Sequence, residues 1–329
     1  MKFACYRSCK EDRFAIVSGN QIIDLADAHA QARRQGIRLA LGTMPSNPIE
    51  FLRLGEAAMD DARIVVDRIE TIDISAAAIE LSNAQIVSPI PRPVSLRDGY
   101  AFRQHVEAAR RNRGLPMIPE FDEIPIFYFS NHLAVTGPGN VHVLPRHCEQ
   151  LDFELECAIV IGKEGRNIPA EHADEYIAGY TVMNDWSARA LQMQEMKLNL
   201  GPAKGKDFAT SLGPVLVTRD ELASRRIDSP AGERYDLTMI ARINGEEVSR
   251  GNLRDMHWTF AQIIERASYG VTLYPGDVIG SGTCGTGCLL ELNGSKAFTP
   301  PRWIQPGDIV ECEIELIGTL TNRVVLDSD

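Results

Sequence analysis

The chain has 329 residues, of which 44% are apolar and 24% charged, and its formal net charge is −11. This composition is typical of a folded globular protein rather than of a disordered one. Because nucleic acids and anionic membranes attract basic surfaces, a chain this acidic is not expected to bind either. The length favours two domains, or one large domain with an addition.

The sequence also predicts a cytoplasmic protein. No apolar run approaches the length of a membrane span, and charge interrupts the first residues before a secretory signal could form. The seven cysteines are odd in number and scattered, which favours free thiols in a reducing compartment. Cys5/Cys9 and Cys284/Cys288 have a C-x3-C spacing. Neither pair has a matching His or Cys cluster, so buried thiols are favoured over zinc ligands.

The first part of the chain, residues 1–87, is predicted to form a small α+β domain. It opens with a hairpin, whose two apolar runs flank the turn Ser18-Gly19-Asn20. Two helices are predicted to follow, over residues 26–41 and 48–69. The proline-rich segment 88–93 then interrupts regular structure and is predicted to be a linker.

Residues 88–329 are predicted to form a second, mainly β domain. Short apolar runs recur along it, and two of them follow Pro-Gly-Asp turns. The predicted strands cover residues 124–129, 152–161, 177–183, 213–218, 236–243, 277–279, 288–292 and 309–316. Short strands at regular spacing favour a sandwich, a roll or a barrel over alternating β and α units. The predicted fold class is therefore mixed α/β, mainly β.

Apolar and acidic residues alternate at the start of the run 151–162. With a strand period of two, Asp152, Glu154 and Glu156 share one face, and the carboxylates of successive acids on that face lie about 7 Å apart. Such a pair could bind one ion, although a solvated acidic face has the same pattern. Asp185 follows another apolar strand, where it would either add an oxygen ligand or cap the next helix.

Two further segments carry candidate functional residues. The glycine-containing loop 201–211 includes Lys204 and Lys206, and it is either a surface loop or a means of placing a cation beside an anionic intermediate. Residues 280–285 match G-x-G-x-x-G, but a strand is predicted after them, whereas a dinucleotide fingerprint opens a helix. A turn whose Thr283 hydroxyl reaches a substrate is favoured instead.

In its combined motifs the chain resembles the fumarylacetoacetate hydrolase family, over roughly residues 88–318. The motifs, which occur in the family's order, are residues 152–162, Asn184-Asp185-Trp186-Ser187-Ala188-Arg189, residues 204–211 and Gly280-Ser281-Gly282-Thr283. The resemblance implies a β-sandwich roll that holds Mg²⁺, Mn²⁺ or Ca²⁺. It also implies that residues 1–87 are an additional domain that varies among members, and that the protein is a homodimer.

The resemblance assigns roles to individual residues. Glu154, Glu156 and Asp185 are expected to bind the metal. Some members carry a further aspartate before a Phe-Tyr pair, where this chain has Ile126, so a site with three carboxylates is expected. The resemblance also places Gln192, Lys206 and Thr210 at the substrate, where Gln192 and Lys206 would stabilise an oxyanion. Independently of the family, Arg103 and Arg189 are expected there as local cations for an anionic substrate, and Tyr128 and Thr283 complete the expected substrate-binding residues.

Two histidines are candidates for the catalytic base. His132 lies near the position of the catalytic histidine of the family's eponymous enzyme, and Glu291 matches the acid that orients it. His105 instead resembles the base on a lid segment in the acylpyruvase-like branch, with Glu107 as the nearest acid. His105 is preferred, because closure of a lid would place it beside the metal and exclude water.

The resemblance leaves three functions open. The first is metal-dependent hydrolysis of a carbon–carbon bond in a β-diketone or acylpyruvate-type acid of aromatic catabolism. The second uses the same metal-bound enolate to decarboxylate, isomerise or hydrate a 2-oxo acid. The third, a non-catalytic metabolite-binding member, is ranked last because the metal carboxylates and Lys206 are all present. In each case the expected partner is a small diketo or 2-oxo acid.

Overall fold

The computed structural model describes residues 1–9 and 11–327. Its strands are β1 (Lys2–Ser8), β2 (Glu11–Ser18), β3 (Gln21–Asp24), β4 (Ala78–Glu80), β5 (Ile86–Val87), β6 (Leu96–Gly99), β7 (Phe127–Ser130), β8 (Val135–Thr136), β9 (Gly139–Val143), β10 (Leu151–Asp152), β11 (Leu155–Ile161), β12 (Gly165–Arg166), β13 (Ile177–Asp185), β14 (Ser187–Ala188), β15 (Thr210–Val217), β16 (Arg226–Ile227), β17 (Arg234–Tyr235), β18 (Thr238–Ile243), β19 (Glu246–Asn252), β20 (Thr272–Leu273), β21 (Val278–Gly280), β22 (Ile309–Ile314) and β23 (Gly318–Leu326). Its helices are α1 (Leu25–Arg34), α2 (Pro48–Arg53), α3 (Glu56–Asp67), α4 (Arg103–Asn112), α5 (Ala170–Ala173), α6 (Arg189–Met196), α7 (Phe260–Ser268) and α8 (Leu289–Gly294). The predicted class, mixed α/β and mainly β, is confirmed.

A sheet of twelve strands lies at the centre of the molecule. Strands β15, β13, β11 and β21 are antiparallel neighbours in it, and β6 pairs with β21 in parallel. Every residue of β11 is buried, because alternate side chains pack into two different hydrophobic cores. A strand with apolar side chains on both faces is expected in the interior of a sheet. The acidic face predicted for this part of the chain therefore does not face solvent.

A second sheet of five strands, in the order β19-β18-β22-β23-β9, covers one side of the first. The two sheets share one hydrophobic core, to which β11 and β13 contribute Cys157 and Val182, and β18 and β22 contribute Met239 and Val310. Side chains from two facing sheets that meet in a common core define a β-sandwich. The sandwich expected from the family resemblance is thus present.

Residues 1–87 continue the large sheet. The predicted hairpin is confirmed as β2 and β3, and β1 pairs with β15 of the central strands. Helices α1 to α3 accompany this edge, where the rings of Phe3, Phe14 and Phe51 pack with centroids 4.9–5.4 Å apart. The segment predicted as a linker is irregular, but Ser88 and Ile90 are buried. The two-domain division at residue 88 stays a prediction, since a continuous sheet crosses it.

Several predicted elements differ in the structure. The helix expected over residues 26–41 is the shorter α1, which ends at Arg34. The strand expected over residues 152–161 is divided into β10 and β11.

Two other elements differ as well. The helix expected over residues 48–69 begins at Pro48, capped by Asn47, but it is divided into α2 and α3 at Gly55, whose φ is +60°. The strand expected over residues 288–292 is instead the start of α8. None of the described helices is both long and apolar enough to span a membrane.

The helix α8 forms because its first N–H groups have a buried acceptor. The Asp152 carboxylate accepts hydrogen bonds from the backbone N–H of Leu289 and of Leu290, at 2.7 and 2.9 Å. These are donors that a helix leaves without an internal partner. Since Asp152 lies far away in the sequence, the short apolar run alone could not distinguish a helix from a strand.

Candidate active site

Four carboxylates meet beside the central strands. Glu154 directly precedes β11, Glu156 lies within β11, Asp185 ends β13 and Asp98 lies in β6. All four side chains are buried, and oxygen atoms of Asp98, Glu154 and Asp185 lie within 4.8 Å of one another. Carboxylates this close repel each other when ionised, so the cluster requires protons or cations to balance its charge.

Lys206 supplies one such cation. Its Nζ donates hydrogen bonds to Glu154 Oε2 at 2.5 Å and to Asp185 Oδ2 at 2.7 Å. Burial lowers the pKa of Lys206, but Asp185 and Glu154 outweigh this effect and raise it above its ordinary value. The buried ammonium group is therefore charged and held between two carboxylates.

Arg189 is the second cation. Its Nη2 donates to Glu154 Oε1 at 2.7 Å and its Nε to Asp152 Oδ2 at 2.8 Å. Burial raises the pKa of Glu154, but Lys206 and Arg189 together lower it to about 2, so this carboxylate is ionised. Asp152 accepts hydrogen bonds from Arg189 and from the first N–H groups of α8, and it is not part of the carboxylate cluster.

On the side of Asp98 and Glu156, the cluster has little positive charge to balance its carboxylates. Burial and the nearby Asp185 raise the pKa of Asp98 to about 7, and burial and Asp98 raise the pKa of Glu156 well above its ordinary value. The N–H of Gly282 donates to Asp98 Oδ1 at 3.1 Å and to Glu156 Oε2 at 3.0 Å. Glu156 Oε1 is buried without a hydrogen-bond partner among the described residues.

These residues fit a divalent cation. The available donors are carboxylate oxygens, which are the ligands that Mg²⁺, Mn²⁺ and Ca²⁺ prefer. A cation beside the unpaired Glu156 oxygen would also offset the burial and the repulsion that together raise the pKa values of Asp98 and Glu156. The group of oxygens within 4.8 Å contains Asp98 beside two of the three expected ligands, Glu154 and Asp185, and the third, Glu156, is linked to it through the Gly282 N–H that it shares with Asp98. The set of metal ligands stays a prediction. No spacing in the sequence relates residue 98 to the others, and the pairing of β6 with β21 brings it there.

The two candidate bases have different surroundings. His105, on α4, is buried, and its Nδ1 lies 2.7 Å from Glu291 Oε2 on α8. Glu291 Oε1 accepts a hydrogen bond from the N–H of Thr286 at 2.9 Å. His132 lies in a short 3₁₀ helix and is partly exposed.

The predicted pairing of acids with histidines was wrong. Glu291, which was matched to His132, contacts His105, whereas Glu107 forms an ion pair with Arg103 at 2.8 Å. Arg103 also pairs with Asp122. The pairing was missed because Glu107 is near His105 in sequence, whereas Glu291 reaches it only through the packing of α4 against α8.

One cavity of about 840 Å³ connects the carboxylates with the His105–Glu291 pair. Of the predicted site residues, those lining it are His105, Tyr128, Glu154, Arg189, Gln192, Lys206, Thr283 and Glu291. Its walls also include the apolar side chains of Met193, Met196, Leu290 and Trp303. The cavity volume is that of a pocket for a small organic ligand.

The remaining predicted site residues lie outside this lining. Asp185 and Glu156 are directly behind it, and Thr210 donates a hydrogen bond to Asp185 at 3.3 Å. Tyr128 also donates to Asp185, so its hydroxyl lies at the border of the cavity and the carboxylates. Arg103, Glu107 and His132 are not part of the lining. The structure therefore brings together most of the predicted site, but not these three.

The G-x-G-x-x-G segment donates hydrogen bonds to the carboxylates and is not a phosphate-binding loop. Gly282 has φ +76°, and a Cβ at this position would lie 2.7 Å from the carbonyl oxygen of Gly99. This close approach directs the Gly282 N–H to Asp98 and Glu156. A helix does follow the segment, contrary to the prediction. The carboxylates that already accept from its amide would nevertheless repel a phosphate.

The fold and the site together define an enzyme in which a buried acidic cluster borders a ligand cavity. The model of the fumarylacetoacetate (FAA) hydrolase C-terminal family matches residues 95–325. The chain therefore belongs to the fumarylacetoacetate hydrolase family.

Individual relatives agree with this assignment. The chain is 31% identical over 317 residues to the oxaloacetate tautomerase YisK of Bacillus subtilis (strain 168), with 94% of each chain covered. It is 32% identical over 285 residues to the mitochondrial oxaloacetate tautomerase FAHD2A of Homo sapiens, covering 86% of this chain and 81% of that protein. Its fold is similar to that of a fumarylacetoacetate hydrolase from Exiguobacterium antarcticum, with a TM-score of 0.69, 24% identity and coverage of 99% and 100%.

Proposed function

We propose that the protein is a metal-dependent tautomerase, which interconverts the enol and keto forms of an oxaloacetate-like 2-oxo acid. The observation that carries this proposal is the His105–Glu291 pair, which opens into the same cavity as Glu154 and Lys206. A base that shares a cavity with a cation and with carboxylates able to hold a metal is what enolisation requires. Two relatives named oxaloacetate tautomerases support the choice of reaction. Carbon–carbon hydrolysis, which the sequence favoured, has less support from these names.

The carboxylates Asp98, Glu154, Glu156 and Asp185 would hold the metal, and we propose Mg²⁺ or Mn²⁺. When bound, such an ion polarises the 2-oxo group of the substrate and favours its enolate form. Lys206 stays charged beside it and adds to the positive potential that an enolate oxygen meets. Cations on one wall of the cavity thus allow a net acidic protein to bind a small dicarboxylate.

His105 would transfer the proton at C-3 of the substrate. Donation of its Nδ1–H to Glu291 leaves Nε2 as the proton acceptor and fixes the orientation of the ring. The carboxylate of Glu291 also stabilises the imidazolium that forms when His105 takes the proton. The same imidazolium returns the proton to carbon or oxygen, so no group is consumed.

Gln192 and Arg189 would position the substrate. Arg189 Nη1 donates to Gln192 Oε1 at 3.0 Å, which leaves the amide nitrogen of Gln192 able to donate to a carboxylate in the cavity.

The proposal is tested by following the enol absorbance of oxaloacetate in the presence of Mg²⁺ or Mn²⁺, with and without chelator, together with product analysis. A tautomerase accelerates decay of the enol signal while all four carbons remain in one molecule. Release of carbon dioxide at the rate of enol decay would indicate a decarboxylase instead. Cleavage of an acylpyruvate into two acids, without acceleration of oxaloacetate tautomerisation, would indicate the hydrolase.

A further inference from the structure

A second group of metal-ligating side chains lies beside the carboxylate cluster. His105, Cys288 and Glu291 each offer one ligand atom, and these three atoms lie within 4.8 Å of one another. All three side chains are buried, with exposed fractions of 7%, 0% and 6%. Two such groups occur within residues 1–9 and 11–327, and this is the one that includes a thiol.

The fold assembles this group from two helices. Cys288 is the residue before α8 and Glu291 lies in its first turn, while α4 places His105 against them. Cys284, the other member of the C-x3-C pair, does not belong to the group. The sequence analysis weighed two interpretations of the C-x3-C pair, buried thiols and zinc ligands. Neither interpretation predicted a cluster in which one cysteine joins a histidine and a glutamate.

The two groups differ in the cations they suit. Four carboxylates suit a hard ion such as Mg²⁺, whereas a thiol, an imidazole and one carboxylate suit Zn²⁺, which takes nitrogen, sulfur and oxygen ligands. His105 and Glu291 line the cavity, so an ion can reach them from solvent, and water there can complete a four-coordinate site. Burial and the nearby Asp152 raise the pKa of Cys288 well above its ordinary value, so its thiol is protonated until a metal displaces the proton.

We propose that His105, Cys288 and Glu291 form an inhibitory site for a thiophilic divalent cation such as Zn²⁺, separate from the carboxylate cluster. A metal that binds His105 at Nδ1, the nitrogen beside Glu291, leaves the ring proton on Nε2 and releases the thiol proton of Cys288 to solvent. The hydrogen bond from Nδ1 to Glu291 is then lost, because the metal takes the place of the proton. The imidazole then cannot accept a proton from a substrate. Binding of the ion does not depend on the proposed function, whereas its inhibitory effect does.

The test measures binding without substrate. Wild-type protein in excess Mg²⁺, which occupies the carboxylates, is titrated with Zn²⁺ by calorimetry, and with Cd²⁺ while the cadmium–thiolate absorbance is recorded. One equivalent is expected to bind, with the absorbance present. Cys288→Ser should abolish the absorbance and weaken Zn²⁺ binding by more than the roughly 10–100-fold that loss of an outer partner costs. Cys284→Ser, at a buried thiol outside the group, is the matched control and should bind like wild type.

The proposal is overturned if wild type binds no Zn²⁺ in excess Mg²⁺ or shows no cadmium–thiolate absorbance. These two results do not depend on the folding of any variant. It is also overturned if Cys288→Ser retains the absorbance, or if Cys284→Ser loses it instead. Finally, Zn²⁺ should slow enol decay by wild type, with the rate compared against the same protein without Zn²⁺. If there is no turnover to inhibit, the proposed function fails while the binding result stands.

Discussion

Lys206 is the residue on which the charge balance of the site depends most. Its buried ammonium lies between Glu154 and Asp185. In Lys206→Met these carboxylates lose their shared counterion, so kcat/KM for the 2-oxo acid is expected to fall about 10²–10³-fold. In chelator, the free energy of unfolding should fall by about 3–5 kcal/mol, as for other broken buried pairs. Steady-state kinetics and denaturant unfolding measure the two effects.

The matched control for this substitution is Lys204→Met. Lys204 is exposed and pairs with Asp207 at 2.8 Å, and an exposed pair contributes at most about 1 kcal/mol. This variant should keep nearly wild-type kinetics and stability. Unchanged kinetics in Lys206→Met would remove Lys206 from the proposed mechanism.

The two histidines provide a second test at the residue scale. His105→Gln should lower kcat about 10²–10⁴-fold, because a positioned base contributes that much, with a smaller effect on KM. His132→Gln should remain close to wild type, since His132 lies outside the cavity lining. Steady-state kinetics of both variants under identical conditions determine which histidine is the base. The reverse order of effects would restore His132 as the base.

Single residues also show what the sequence can and cannot predict. Glu154, Glu156, Asp185 and Lys206 were identified because they belong to local motifs of the family. Asp98 and the partner of His105 were not, because each depends on contacts between segments far apart in the chain. His105 and Glu291 are 186 positions apart, and only tertiary packing brings them together.

At the scale of elements, the turn between β21 and α8 supports the carboxylates through the N–H of Gly282, which donates to Asp98 and Glu156. Gly282→Ala would place a Cβ 2.7 Å from the Gly99 carbonyl and 2.9 Å from Tyr100 Cα, at a φ of +76°. The turn must shift, at a cost of about 1–3 kcal/mol, and its N–H then leaves Asp98 and Glu156. We expect a lower Tm and weaker Mn²⁺ binding, measured by thermal unfolding and calorimetry.

Gly285→Ala, in the same turn, is the control for this substitution. A Cβ there would meet the Gln104 side chain at 3.1 Å, and Gln104 is exposed and able to move. Its Mn²⁺ affinity should match that of wild type. If both variants bind Mn²⁺ equally well, the Gly282 amide does not support the metal site.

The strands were predicted better than the helices, for a physical reason. Alternation and β-branched runs mark β13, β18 and β22 within their own residues. The helix α8 instead depends on Asp152, and the break between α2 and α3 depends on the conformation of Gly55. Only α8 depends on a distant partner, which its own residues cannot indicate. The break at Gly55 is local, and an isolated glycine in a helical pattern is a weak signal because most helices tolerate one.

At the scale of the whole molecule, metal binding should stabilise the fold. The carboxylates that meet at β6, β11 and β13 outnumber Lys206 and Arg189, and Glu156 Oε1 has no partner among the described residues. A ligand that binds the folded state alone adds about 2.7 kcal/mol at a hundredfold excess over its Kd. Removal of metal with chelator should therefore lower Tm, and Mn²⁺ or Mg²⁺ should restore it. Identical melting curves in both conditions would contradict a metal site here.

The assembly and location of the molecule stay predictions. A homodimer is expected from the family resemblance, and a cytoplasmic location from the sequence, although the human relative is described as mitochondrial. The β-sandwich and the family were predictable because their motifs extend along most of the chain. The path of residues 1–87 into the central sheet was not, since the pairing of β1 with β15 leaves no local pattern.

The most direct test of the central claim is the exchange of the C-3 hydrogens of oxaloacetate in D₂O, followed by proton NMR with Mg²⁺ present. Wild-type protein should accelerate exchange above the rate with Mg²⁺ alone, without added formation of pyruvate, and His105→Gln should return it to that rate. Exchange by wild type at the Mg²⁺ background rate would contradict the proposal that this site transfers a proton at carbon.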